Sequence, residues 1–172
     1  MGKTKLAIPA ISGAIVVLAI AFLVVAVFFL LASTKSTSLK EGDKIPPISV
    51  VLYDGSTLTI PGGKPVVVHF WASWCRECLK EVPIWKNADE EEALFVWISY
   101  KDAESKALEF LRKWEITFPA GKDPGGKLAR LFGVTGVPET YFIKADGTLL
   151  RRHIGPLEEE ELRRFLHELV GR

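Results

Sequence analysis

The sequence predicts an α/β fold, a mixed central sheet flanked by helices with an N-terminal β-hairpin, behind a single apolar helix. Three observations support this prediction: an uninterrupted apolar run near the N-terminus, strand patterns that alternate with amphipathic helix patterns, and two cysteines at a strand-to-helix junction. With 172 residues the chain has room for one domain and an appendage. We divide it into an anchor (1–35), a linker (36–44) and a domain (45–172).

The appendage is an apolar segment whose residues 14–32 contain no polar side chain. A helix of this length covers roughly 28 Å, close to the thickness of a bilayer's hydrocarbon core. The run is longer than the apolar region of a signal peptide, and Leu30–Ala32 matches a cleavage site poorly. We therefore predict an uncleaved transmembrane helix. Lys3 and Lys5 favour a cytoplasmic N-terminus, although Lys35 weakens that bias.

The domain's elements follow from apolar periodicity and turn residues. Asp54-Gly55 predicts the turn of an N-terminal hairpin, and Val66–Trp71 predicts a buried central strand. The later predicted elements are a helix to about Asn87 kinked at Pro83, a strand Leu94–Ser99, a helix Asp102–Trp114, a short strand Phe118–Ala120, a helix from Asp123 to Phe132, a hairpin of Thr140–Ile143 and Thr148–His153, and a helix Leu157–Val170.

Cys75 and Cys78 are the only cysteines, and they directly follow the central strand. On the first turn of a helix, this spacing puts both sulfurs on one face, close enough to form a disulfide. Cys75 would lie exposed at the helix N-terminus, where unpaired N–H groups and the macrodipole favour a thiolate. We therefore predict a redox-active Cys75–Cys78 pair in which Cys75 attacks and Cys78 resolves. Such chemistry belongs outside the reducing cytosol, which places the domain on the extracytoplasmic, periplasmic side of the cytoplasmic membrane.

Other uses of the two cysteines fit less well. A structural disulfide would gain little, because so short a loop hardly restricts the unfolded chain. A zinc site lacks a second CxxC pair, and the three histidines are scattered along the chain. Haem attachment needs a histidine where Leu79 stands. We predict no metal and no cofactor.

Two motifs resemble a known family. The stretch 70–83, FWASWCRECLKEVP, is similar to the active site of the thioredoxin superfamily, in particular the membrane-tethered TlpA, ResA and CcmG (DsbE) group used in cytochrome c maturation. The segment 133–143, GVTGVPETYFI, resembles the part of that group that contains its cis-proline. The resemblance spans about residues 39–170. Glu77 is a departure, because many members have proline there.

The resemblance implies a thioredoxin-like fold and a set of site residues. Pro138 would follow a cis peptide bond from Val137, and both Val137 and Glu139 would lie near the dithiol as docking residues. Glu81, one helical turn beyond Cys78, would affect the thiol pKa values or relay the proton of Cys78. Trp74 beside the cysteines would pack there or line the surface on which a substrate docks.

The implied activity is reduction of disulfides in proteins such as apocytochrome c. A reductant outside the cytosol must be re-reduced, so the resemblance also implies a membrane electron donor of the CcdA or DsbD type, besides contact with membrane lipid. The balance of 22 basic and 21 acidic residues gives no electrostatic footprint for nucleic acid. Two alternatives stay open: a peroxide reductase of the peroxiredoxin type, disfavoured by Ala72-Ser73-Trp74 before Cys75, and a copper-binding module that uses both cysteines and a histidine.

Overall fold

The computed structural model describes residues 13–32, 39–88 and 93–171, and the chain divides into two compact units. The first unit contains α1 (Gly13–Ala32), in which side chains are described for Gly13 and residues 15–29. In the described part of the chain, no helix is both long enough and apolar enough to cross a membrane. Lys3, Lys5 and Lys35, which bear on the predicted topology, lie outside the described residues.

The second unit is the predicted domain, built from seven strands and four helices within its described residues. They are β1 (Ile48–Val51), β2 (Thr57–Ile60), β3 (Val66–Trp71), α2 (Arg76–Lys86), β4 (Leu94–Tyr100), α3 (Glu104–Lys113), β5 (Ala120–Asp123), α4 (Lys127–Phe132), β6 (Glu139–Ile143), β7 (Leu149–Ile154) and α5 (Glu159–Val170).

The sheet has the order β5-β4-β3-β6-β7, with β1 and β2 forming a separate antiparallel hairpin. β3 runs parallel to β4 and antiparallel to β6, which confirms the predicted mixed sheet. Every residue of the central strand β3 is buried. A strand covered on both faces reads as a continuous apolar run, which is why the sequence identified it.

Alternate residues of β3 enter two apolar clusters, one on each face of the sheet. Val67 and Trp71 lie in the cluster that also contains residues of α2, α3 and α5. Val66, Val68 and Phe70 lie in the cluster with the hairpin and α4. The turn that joins β3 to α2 therefore emerges from a strand held on both sides.

Several element boundaries differ from the prediction. α4 begins at Lys127 rather than Asp123, because the Asp123 carboxylate accepts hydrogen bonds from the N–H groups of Lys127 (2.7 Å) and Ala129 (2.8 Å) and so caps the helix from upstream. Gly126, with φ 64°, makes the left-handed turn between them. β5 begins at Ala120, where the predicted strand Phe118–Ala120 ends.

The two other helices adjoining the site are close to their predicted extents. α5 begins at Glu159, because Glu158 is its N-cap and exchanges capping-box hydrogen bonds with Glu161. α2 continues through Pro83 to Lys86.

Candidate active site at the junction of β3 and α2

The two cysteines occupy the first turn of α2. Cys75 is the N-cap residue, with extended backbone angles, and its sulfur accepts a hydrogen bond from the N–H of Cys78 at 3.1 Å. The two sulfurs are bonded to each other. Both residues are buried, with exposures of 5% for Cys75 and 1% for Cys78. The predicted exposure of Cys75 is wrong, because Cys75 packs within the same apolar cluster as Trp71 and Ala72.

The turn before Cys75 is held by a carboxylate from another part of the sheet. Asp102, just after β4, accepts hydrogen bonds from the backbone N–H of Ser73 and from its hydroxyl, the latter at 2.9 Å. The N–H of Cys75 itself donates to the carbonyl of Ala72 at 3.1 Å. Between these two bonded positions Trp74 is 58% exposed. The backbone of the turn is therefore held by hydrogen bonds, while the indole of Trp74 faces solvent.

The segment before β6 carries the predicted proline. The peptide bond between Val137 and Pro138 is cis. Pro138 is buried, and its carbonyl accepts a hydrogen bond from the N–H of Gly155 at 3.0 Å. Val137 is half-buried and packs against both apolar clusters.

Glu139 follows the cis-proline directly, at the start of β6. Its side chain is fully buried, and one oxygen accepts hydrogen bonds from the Tyr141 hydroxyl and the Arg152 guanidinium. The other oxygen accepts from the N–H of Thr135 at 3.0 Å, while Arg152 also donates to the carbonyl of Gly133 at 2.8 Å. Burial, with the bond to Glu139 as a further cause, raises the pKa of Tyr141. Glu139 therefore supports the cis-proline loop from within and does not lie on a docking surface.

Glu81 is buried at 1% exposure, one turn beyond Cys78 on α2. Its Oε1 accepts a hydrogen bond at 2.8 Å from the N–H of Leu157, in the segment before α5. Its Oε2 has no hydrogen-bond partner in the described part of the chain. Burial raises the pKa of Glu81 to about 8; the bond from Leu157 opposes this rise and the charge of Glu77 adds to it. At neutral pH this carboxyl therefore keeps its proton.

His69, on β3, faces that carboxyl. Its Nε2 lies 3.8 Å from Oε2 of Glu81, and its Nδ1 lies 3.0 Å from the Thr140 hydroxyl on β6. The rings of Trp85 and Trp97 flank it at centroid distances of 4.7 and 4.9 Å. Burial lowers the pKa of His69 to about 3, so the imidazole is neutral at physiological pH.

This geometry can be compared with known proteins. The sequence model of the Redoxin family matches residues 40–166. The chain belongs to the Redoxin family. The chain is similar to the "Thiol:disulfide interchange protein DsbE homolog" of Paracoccus denitrificans (strain Pd 1222). The two are 40% identical over 130 residues, which cover 74% of this chain and 70% of that protein. The "Thiol:disulfide interchange protein CycY" of Rhizobium leguminosarum bv. viciae is 43% identical over 96 residues, 55% of this chain. That match spans about half, 52%, of the length of CycY.

A solved structure agrees with these relatives. The structure of MTB dsbF, in its mixed oxidized and reduced forms, superposes with a TM-score of 0.67 at 30% identity, covering 71% of this chain and 94% of that one. The thioredoxin-like fold and the resemblance to the DsbE group are thereby confirmed. Within the Redoxin family, the chain is a thiol:disulfide oxidoreductase with a CxxC pair.

Sequence reasoning missed three residues of this redoxin's site. Asp102 and Arg152 gave no signal, because each acts on a residue distant in the chain. His69 did have one: it is a polar residue at an inward position of a strand that is otherwise apolar, six residues before Cys75. On sequence alone it had no role beyond its place in the predicted strand Val66–Trp71. Among the described residues no group of three or more potential metal ligands comes together, so the copper-binding alternative has no ligand set there.

Proposed function

We propose that this redoxin is a membrane-tethered, extracytoplasmic protein-disulfide reductase that acts on the CxxCH disulfide of apocytochrome c. The observation that carries the proposal is the arrangement on α2: a cysteine pair at the N-cap, with a buried, protonated carboxyl one turn further along. The nucleophile and a carboxyl that can exchange a proton with the resolving thiol are thus on one helix.

The cycle needs only these groups and a protein substrate. The Cys75 thiolate attacks the substrate disulfide and forms a mixed disulfide, and one substrate sulfur leaves and is protonated. The minor fraction of Glu81 that is ionised at neutral pH takes the proton of Cys78. The Cys78 thiolate then attacks Cys75 and releases the second substrate sulfur, which takes a proton from water. When an external dithiol reduces the Cys75–Cys78 bond, the Cys78 sulfur takes the proton back from Glu81. Two electrons pass to the substrate in each turn.

The direction of electron transfer depends on how strongly the Cys75 thiolate is stabilised in the reduced protein. An oxidant such as DsbA has a strongly stabilised, very acidic thiolate. Here the Cys75 sulfur accepts one backbone hydrogen bond, and the charge of the exposed Glu77 is paired with Lys80 at 2.8 Å. A carboxyl one turn away opposes a thiolate whenever it ionises. We therefore place the reduction potential nearer to that of thioredoxin, about −270 mV, than to that of DsbA, about −120 mV.

The surroundings of the pair support a protein substrate. Trp74 offers an exposed aromatic surface beside Cys75. Val137 and the cis-proline Pro138 directly precede β6, which pairs with β3. We assign docking to this surface. The interchange proteins named among the relatives support thiol–disulfide exchange as the reaction. The group that both motifs resemble supports apocytochrome c as the substrate and a CcdA- or DsbD-type donor. The apolar run of residues 14–32 supports the tether to membrane lipid.

The potential tests the direction directly. The full chain, solubilised in detergent, is equilibrated with glutathione buffers, and the fraction of reduced dithiol is measured. We expect a value near −270 mV. A value above about −180 mV, that of protein disulfide isomerase, would make the protein an oxidant or an isomerase.

A trapping experiment tests the substrate and the roles of the two cysteines. With a CxxCH peptide in its disulfide form, Cys78→Ser should accumulate a mixed disulfide through Cys75, and Cys75→Ser should not. A matched disulfide peptide without the histidine shows whether CxxCH itself is recognised. Equal trapping by both variants would contradict the assignment of Cys75 as the nucleophile.

Labelling tests the topology. An impermeant thiol reagent applied to intact cells after mild reduction should reach Cys75, because the domain lies outside. Labelling that requires lysis would show that the orientation is wrong.

A further inference from the structure

Two buried polar atoms that face each other beneath the dithiol are unexplained by the cycle above. Oε2 of Glu81 and Nε2 of His69 are both buried, and neither has a hydrogen-bond partner among the described residues. They are 3.8 Å apart, with both side chains at 1% exposure. Leaving a buried polar atom unpaired is costly, so two such atoms at this separation indicate a contact that the fold is built to make.

We propose that His69 is a positioning residue for disulfide exchange: its Nε2 accepts the carboxyl proton of Glu81 and holds that carboxyl, protonated, one helical turn from Cys78. The proposal rests on the role of Glu81 given under the proposed function. A movement of about 1 Å brings the two atoms to ordinary hydrogen-bond distance. Such bonds are often long in resting sites and shorten during the reaction.

The surroundings of the other ring nitrogen fit the tautomer that this contact needs. An imidazole that accepts at Nε2 must have its proton on Nδ1. Nδ1 lies 3.0 Å from the hydroxyl oxygen of Thr140, which can accept that proton. The rings of Trp85 and Trp97 keep the imidazole from turning over. With Thr140 accepting from Nδ1 and Nε2 accepting from Glu81, each contact of the chain Thr140–His69–Glu81 has one donor and one acceptor.

The groups that surround the pair do not supply a competing charge. β4 presents the indole of Trp97, and the segment before α5 presents the backbone N–H of Leu157. On α5, Glu158 and Glu161 bond to the backbone of their own helix. On α2, within the described residues, the charge of Glu77 adds to the rise in the pKa of Glu81. Cys78 is the titratable partner that remains.

What His69 contributes is a match between two proton affinities. Proton transfer between two groups is most efficient when their pKa values are similar. An ordinary thiol has a pKa of about 8.5, and burial raises the pKa of Glu81 to about 8. A lone pair at Nε2 favours the protonated carboxyl and disfavours the carboxylate. His69 thus keeps Glu81 in the range in which it can exchange a proton with Cys78.

The first test observes the imidazole itself. Long-range ¹H–¹⁵N correlation spectra of the full chain in detergent micelles report the tautomer and charge of each histidine. We expect His69 to stay neutral, with its proton on Nδ1, from pH 5 to pH 8, while the partly or fully exposed His153 and His167 serve as internal controls. A proton on Nε2, or protonation of His69 within this range, would overturn the proposal.

The second test measures a consequence that a purely structural histidine would not have. The side-chain ¹³C shift of Glu81 in the oxidised protein is followed against pH, and its inflection, expected near pH 8, reports Glu81 because disulfide-bonded cysteines do not titrate. His69→Asn should lower that inflection by about 0.5 to 1 pH unit, the equivalent of one hydrogen bond. Glu81→Gln should abolish it, and His153→Asn should leave it in place. An unchanged or raised inflection in His69→Asn would refute the role of His69.

The tests separate this proposal from the proposed function. A reduction potential above −180 mV would refute the reductase direction and leave the tautomer of His69 as observed. Conversely, a reductant whose His69 has its proton on Nε2 would keep its function and lose this account of Glu81.

Discussion

Among its described residues the domain has two buried glutamates, on opposite sides of the sheet, and their surroundings differ. Glu139, at the start of β6, has donors on both oxygens, among them the Arg152 guanidinium. Glu81, on α2, has one backbone donor and a neutral imidazole at 3.8 Å. A buried carboxylate with a cation is a fixed support, whereas a buried carboxyl without one keeps its proton and can exchange it. The same residue type thus holds the cis-proline loop in one case and stores a proton in the other.

The largest expected effect on stability comes from replacing Arg152, the cation that pairs with Glu139. Arg152→Met leaves the charge of Glu139 buried and unpaired, so we expect the free energy of unfolding to fall by about 3–5 kcal/mol. Urea denaturation measures it. The neighbouring Arg151→Met loses an exposed pair with Glu168 and should cost about 1 kcal/mol or less. Equal costs would mean that Glu139 does not depend on its cation.

The next effect is a pH dependence that belongs to Glu81. Its pKa is raised from 4.5 to about 8 by folding, so the unfolded chain loses this proton first and stability falls as pH rises from 4.5 to 8. His69, lowered from 6.5 to about 3, acts in the opposite sense between pH 3 and 6.5 and offsets the fall there. The net fall therefore appears between pH 6.5 and 8, with a size of about 2 kcal/mol.

Glu81→Gln should remove this fall, since glutamine does not titrate. Urea denaturation at intervals between pH 6 and 8.5 measures the slope in both proteins. A fall that persists in Glu81→Gln would assign the titration to another group and weaken the contrast with Glu139.

Asp102 is a third carboxylate, and its replacement tests whether its hydrogen bonds matter because they hold the turn before Cys75. Asp102→Ala leaves the N–H and hydroxyl of Ser73 without their acceptor, and we expect a loss of about 1–2 kcal/mol together with slower disulfide reduction. Asp54 makes the same two bonds to Ser56 in the N-terminal hairpin, away from the cysteines. Asp54→Ala should therefore leave the rate of reduction unchanged. If both variants are equally slow, Asp102 has no special role in the turn before Cys75.

The smallest effect concerns the hydroxyl behind His69. Thr140→Val removes the partner of Nδ1 in a buried site, so we expect a loss of about 1 kcal/mol in urea denaturation. Thr135→Val is the control, because its hydroxyl is 3.4 Å from Glu139 and its backbone bond to that residue remains. A larger loss in Thr135→Val would show that the loop before β6, and not the His69 ring on β3, depends on a side-chain hydroxyl.

The sequence by itself determined the parts of this protein that depend on local pattern. Apolar runs and turn residues predicted the mixed sheet, and the spacing of Cys75 and Cys78 after a buried strand predicted the dithiol at the helix end. The order of elements within the domain was predicted as well. Boundaries shifted where a side chain such as Asp123 caps a helix from outside it.

Only the tertiary structure decided which polar groups meet. His69 and Glu81 come together because α2 packs over β3, and Asp102 reaches Ser73 because β3 and β4 are parallel neighbours. The same packing buried Cys75, which was expected to be exposed, and placed the buried carboxylate of Glu139 against Arg152. Periodicity predicts which face of an element is apolar. It does not predict the partner of a buried polar atom, because that partner depends on strand register and helix packing between residues far apart in the chain.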